Sequence, residues 1–172
     1  KLMKSKKNLV LLGMMGVGKS TIGSIVSKRL NFKFFDIDKI IENEMKITIA
    51  EIFKKNGEVF FRNLEEKITL KCLNFPNSVI SLGGGSFLNE KIKKEIIVNH
   101  YSFWLDLDKK TLINRIKKSR TRPIIFGLNN IEIQDLIIKR SKIYSKAQFK
   151  INCKNLKKNE IVKKILELYE NN

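Results

Sequence analysis

Two cysteines, Cys72 and Cys153, stand among 172 residues, too few and too far apart for a disulfide framework or a zinc site. Cys72 falls in an apolar helical pattern and is expected in the core, so a reducing, cytoplasmic setting is the expectation. No apolar run approaches the roughly 20 residues of a membrane span, and no signal-peptide pattern is present. Repeats and Pro- or Gly-rich linkers are absent too. One domain spanning 1–172 follows, long enough for a real core, with Lys1-Leu2 ahead of Met3 reading as a remnant. No dedicated association surface stands out, so a monomer is expected. Acidic residues are scarce, 17 against 35 basic, for a net charge of +18. The lysines are spread evenly, without a basic stripe and with little aromatic interleaving, so nucleic acid is not an expected partner. Compositional drift toward lysine, together with attraction of anionic small molecules such as ATP, is the reading of the charge instead. Arginine occurs at only six positions, so each is a candidate for a place that needs the planar guanidinium fork.

What is there begins with Gly13-Met14-Met15-Gly16-Val17-Gly18-Lys19-Ser20-Thr21, which fits G-x-x-x-x-G-K-[ST]. Asn8–Leu12 before it reads as a buried strand. Ile22, Ile25, Val26 and Leu30 after it recur at helical spacing. Glycines at 13, 16 and 18 let backbone N–H groups turn toward a phosphate, and the following helix offers its positive N-terminal end. Lys19 would reach the β- and γ-phosphates of ATP, and the Ser20 hydroxyl would ligate Mg2+.

The rest of the chain alternates strand and helix. Phe32–Asp38 reads as a strand ending in Asp36 and Asp38, which point the same way if extended geometry persists. Asp38 could be the cap of the next helix, but capping hardly explains both aspartates. Thr48 and Glu51 form a capping-box pattern for a helix that Gly57 stops; another begins near Glu58. There Arg62 and Glu65, three apart, can pair, a contact worth little if it is only a surface ion pair. Ser78–Leu82 is a strand followed by Gly83-Gly84-Gly85, which implies close backbone approach to something, a ligand rather than a plain tight turn, which needs only one or two glycines. Residues 88–98 are helical, 101–107 a strand with Trp104 in the core, 109–118 a helix carrying Arg115. Arg120–Asn130 is a candidate lid. Residues 131–144 with Arg140, then strand 148–152 and helix 160–169, complete a parallel sheet covered on both faces.

The ordered set GMMGVGKST, FFDIDKIIE, IAEIF with GEVFFRNLEE, SLGGG, RPII and KRSKIY resembles the shikimate kinase family from about Leu9 to the final helix. The resemblance implies a three-layer α/β/α P-loop kinase fold (nucleoside monophosphate kinase-like) with a five-stranded parallel sheet and a lid at about 120–130. It implies MgATP-dependent phosphorylation of the shikimate 3-hydroxyl in aromatic amino-acid biosynthesis. Lys19, Asp38 and Arg122 would be catalytic. Gly13, Gly16, Val17, Gly18, Lys19, Ser20, Thr21, Arg115 and Arg122 would hold ATP, and Ser20 and Asp36 the metal. Arg62 and Arg140 would clamp the shikimate carboxylate, with Gly83, Gly84 and Gly85, Asp38, Phe53 and Phe61 completing that pocket. The sequence departs from the family at Asn152-Cys153, where Asp-Thr is usual beside adenine, and at Ile124-Ile125 in the lid. A gluconate or nucleotide kinase is the nearer alternative and a nucleic-acid-stimulated ATPase the more distant one.

Overall fold

The computed structural model describes residues 7–118 and 127–172. Five strands, β1 (Leu9–Leu12), β2 (Lys33–Asp36), β3 (Ser78–Ser81), β4 (Tyr101–Asp106) and β5 (Phe149–Asn152), form one parallel sheet in the order β2-β3-β1-β4-β5. The expected five-stranded parallel architecture is therefore present. Seven α-helices occur among the described residues: α1 (Lys19–Leu30), α2 (Ile37–Met45), α3 (Ile49–Leu73), α4 (Glu90–Asn99), α5 (Lys109–Lys118), α6 (Asn130–Tyr144) and α7 (Lys158–Glu170). Helix α1 meets α7, and α3 packs with α4; with this strand order, the right-handed crossovers that parallel strands adopt put the two pairs on opposite faces of the sheet. No helix among the described residues is long and apolar enough to cross a membrane.

β1, β3 and β4 are buried along nearly their whole length, as expected of apolar-centred strands covered on both faces. Trp104 is buried as expected, 6.0 Å from the Tyr144 ring. Strand order positions the site. β1 lies between β3 and β4, so the loop after β1 and the loop after β3 emerge side by side at the carboxyl edge. The Leu82 N–H donates to Leu11 O, tying the two loops where they leave the sheet. In an open α/β sheet that edge is where ligands sit.

Two boundaries differ from the sequence reading. β2 stops at Asp36 rather than running to Asp38, because the Asp36 carboxylate accepts from Lys39 N and starts α2 at once. Asp36 is thus the cap, and Asp38 sits in the first helical turn. The shared orientation expected of an extended i, i+2 pair does not hold. Gly57 does interrupt the helix, at φ 83° and ψ 171°, but helical segments continue on both sides as α3. The capping box of Thr48 and Glu51 forms as expected.

Candidate active site

The loop after β1 is a backbone cradle. Gly13, Gly16 and Gly18 have φ of 144°, 81° and 105°, a region that side chains disfavour. Gly13 is doubly constrained, since a Cβ there would stand 2.6 Å from the Leu105 carbonyl oxygen of β4. Gly18 precedes α1 without a side-chain cap, and no acidic residue occupies the first turn. The N-terminal amides of α1 therefore face the cleft with the positive end of the helix dipole. The Val17 N–H donates to Met14 O, and its side chain is buried. Lys19 is buried, its Nζ donating to Gly13 O and Met14 O at 2.7 and 3.0 Å. Ser20 opens into the main cavity and Thr21 onto an adjoining groove shared with Asp36 and Lys39.

On the far side of this loop, Arg115 of α5 donates from Nη1 to Gly16 O at 3.1 Å and remains exposed. Beyond β5, the Cys153 N–H donates to Asp106 O at 2.7 Å. The buried Cys153 thiol is pushed up to about 11 by desolvation and by Asp106, so it stays a neutral thiol. Arg122 and most of the expected lid, residues 119–126, lie outside the described residues.

Next to the cradle opens a cavity of about 470 Å³. Ser20, Asp36, Asp38, Phe53, Phe61, Arg62, Gly84, Gly85 and Arg140 line it, so residues from five segments of the chain meet in one place. Lys39, Glu42 and Glu65 add charge to the same wall. The rings of Phe53 and Phe61 pack at 4.8 Å and make its apolar side. Gly83 does not line the cavity. Its α-carbon is covered by Glu65, Asp38 and Ser86.

The two arginines are held differently. Arg62 pairs through Nη1 with Glu65 Oε2 at 2.8 Å, and the other Glu65 oxygen accepts from Ser86 Oγ at 2.7 Å. Glu65 is 2% exposed, so this is an anchored contact, not the surface pair considered from spacing. Arg140 is 3% exposed, and its Nε and Nη1 have no hydrogen-bond partner among the described residues. Burial lowers its pKa, with the Arg62 charge adding to that and Tyr144 opposing it. It remains a cation, since arginine keeps its proton in proteins. A buried cation with free donors facing a cavity calls for an anion, and the planar fork fits a carboxylate.

Sequence reasoning missed Ser86 and Tyr144. Tyr144, one helical turn after Arg140, donates its hydroxyl to Gly84 O and lies 3.9 Å from Met14 Sδ. It thereby ties α6 to both loops at the carboxyl edge. Ser86 directly follows the glycine run, and Tyr144 lies within the KRSKIY segment. Only the fold shows what each touches.

The cradle, the adjoining carboxylates and the anion-seeking cavity define a P-loop phosphotransferase acting on a small acceptor. Residues 15–170 match the family described as Shikimate kinase. The chain belongs to the shikimate kinase family. It is 42% identical to the shikimate kinase of Bartonella henselae over 84% of this chain and 69% of that one. To that of Thermodesulfovibrio yellowstonii it is 36% identical over 95% of each chain. Shikimate kinase from Acinetobacter baumannii in complex with shikimate superposes with a TM-score of 0.90 at 26% identity, covering 96% of this chain and 93% of that one. Deoxyadenosine kinase from M. mycoides, at 18% identity and a TM-score of 0.65 over 95% and 99%, shares the fold.

Proposed function

We propose that this chain transfers the γ-phosphoryl group of ATP to the 3-hydroxyl of shikimate, giving shikimate 3-phosphate and ADP on the route to chorismate. The observation that carries the choice of acceptor is Arg140: a buried guanidinium with free donors, facing a cavity that opens onto Ser20 of the P-loop. Arg140 and Arg62 hold the carboxylate of shikimate, and Phe53 and Phe61 cover the apolar part of its ring. Gly84 and Gly85 present backbone to its hydroxyls. Asp38 orients the accepting hydroxyl and takes its proton as the oxygen bonds to the γ-phosphorus.

The P-loop amides, with Gly13, Gly16 and Gly18 at the turns, hold the phosphates of ATP, and Lys19 neutralises charge on the transferring group. Arg115 covers the adenine side. Arg122 is the family's lid arginine and enters here as an expectation from the resemblance alone. Ser20 and Asp36 fit a magnesium ion. Both line the cavity, and the buried Asp36 Oδ2 has no hydrogen-bond partner among the described residues. No cluster of three or more acidic, His or Cys side chains able to cage a metal occurs among those residues. That suits Mg2+, which takes few protein ligands and keeps waters and phosphate oxygens. Its contribution when bound is neutralisation of phosphate charge. Two buried free thiols suit a reducing cytoplasm. A monomer without nucleic-acid or membrane partners completes the proposal.

The test is ADP formation from MgATP with shikimate present or absent, with product identified. Shikimate-dependent ADP release and shikimate 3-phosphate are expected. ADP release indifferent to shikimate, or turnover of gluconate or a nucleoside monophosphate instead, would withdraw the roles of Arg62, Gly84 and Arg140.

A further inference from the structure

We infer that Gly83, Gly84 and Gly85 act as a gauge for the acceptor pocket, each setting the position of a different charged group. The inference rests on the function proposed above. None of the three has a positive φ, so backbone conformation does not demand glycine at any of them. Space does. A Cβ on Gly83 would meet Glu65 Oε1 at 2.7 Å, Asp38 Oδ1 at 2.8 Å and Ser86 Oγ at 3.2 Å. On Gly85 it would meet Arg62 at 2.6, 2.7 and 2.9 Å for Nη1, Nη2 and Cζ. On Gly84 the nearest atom is Arg140 Nη1 at 3.1 Å.

The close backbone approach that the sequence implied is thus made by the chain's own carboxylates and guanidinium groups. The nearest atoms at Gly83 and Gly85 belong to the ends of side chains, not to backbone. A methyl group is therefore absorbed by pushing that charged end away while the sheet and helices stay. The displaced group differs by position, and so does the step that suffers. Gly83 registers Asp38, which orients the hydroxyl in the reacting complex, together with Glu65, which the Ser86 hydroxyl holds from its other side. Gly85 registers Arg62, which binds the carboxylate before and during reaction alike. Gly84 registers Arg140 through a contact that a few tenths of an ångström relieve.

The experiment measures steady-state kinetics of the full chain and three alanine variants, with shikimate and with its uncharged methyl ester. Gly83→Ala lowers kcat by about 100-fold, the usual consequence of misplacing a reacting group by an ångström. Gly85→Ala raises the shikimate KM about tenfold with kcat within about threefold, the pattern of binding lost equally from ground and transition states. The preference for shikimate over the ester shrinks most in Gly85→Ala, because only there is a carboxylate donor displaced outright. Gly84→Ala gives the smallest change. The KM for ATP holds in all three. One shared kinetic profile, or an ATP KM that moves with that of shikimate, overturns the gauge. Should Gly85→Ala melt early, the same substitution made in an Arg62→Ala background lowers the melting temperature no further if the guanidinium is the obstacle, and by as much as in the unaltered chain if the backbone is. That melting comparison reads the steric claim even if the unaltered chain does not turn over shikimate, an outcome that would sink the function instead.

Discussion

The two halves of the cleft, the one proposed for nucleotide and the one proposed for the acceptor, are built on opposite plans. The nucleotide half is backbone: three glycines at positive φ, the uncapped start of α1, and Lys19 folded onto the loop's own carbonyls. The acceptor half is side chain: Arg62 on Glu65, Glu65 on Ser86, Tyr144 on Gly84, with guanidinium groups and carboxylates laid against a bare glycine run. A phosphate chain presents many equivalent oxygens and can be met by repeated amides. A small hydroxy acid presents one carboxylate and a few hydroxyls, and each needs a donor fixed in direction. Holding long charged side chains in fixed rotamers costs entropy, and the ion pairs and hydrogen bonds around Glu65 offset it.

The largest break in the comparison comes from Lys19→Ala, which removes the side-chain charge set against the transferring phosphoryl group. Its kcat falls by about 1,000-fold, the upper range for losing a charge-stabilising donor. Shikimate binding, measured by calorimetry without nucleotide, stays within about twofold. Loss of that binding as well would mean the two halves are not separable. Arg140→Lys comes next and sharpens the contrast from the other side. It keeps the charge and loses the fork, so the shikimate KM rises by about 10- to 100-fold while the ATP KM is nearly unchanged. Equal losses in both affinities would make Arg140 a support for the whole cleft.

The smallest effect lies outside both halves, at His100, just before β4 at the opposite end of the sheet. The ring is buried, and its Nε2 is 3.4 Å from Glu95 Oε1. Desolvation lowers its pKa in spite of the Glu95 carboxylate. The unfolded chain, where histidine titrates near its ordinary value of about 6.5, therefore binds the proton more readily than the folded one. His100 thus supports the fold above that pH and loses its contribution as acid is added. The melting temperature should fall between about pH 7.5 and 5.5, less so in His100→Gln, with both KM values at pH 7.5 unaltered. A slope identical in the variant would assign acid sensitivity to other groups.

Much of this was legible in the chain. The P-loop needs only eight consecutive residues, and the apolar stretches of β1, β3 and β4 say that both faces of the sheet are covered. The aspartate pair was half legible. The sequence offered two carboxylates beside the phosphates, and both do line the cavity, but capping by Asp36 ends the strand earlier than its composition suggests. The glycine run signalled a close approach without naming what approaches.

The sequence by itself determined the cradle, the alternation of strands and helices, and which arginines were worth following. Each of these is a local property, carried by glycine's freedom, by side-chain periodicity, or by the choice of Arg in a Lys-rich chain. Tertiary structure alone decided that Glu65 is held by Ser86 across 21 residues, that Tyr144 reaches Gly84 across 60, and that Arg140 is buried with two donors unpartnered among the described residues. Those facts depend on strand order. Placing β1 between β3 and β4 sets two distant loops side by side, and no local pattern of residues encodes that neighbourhood.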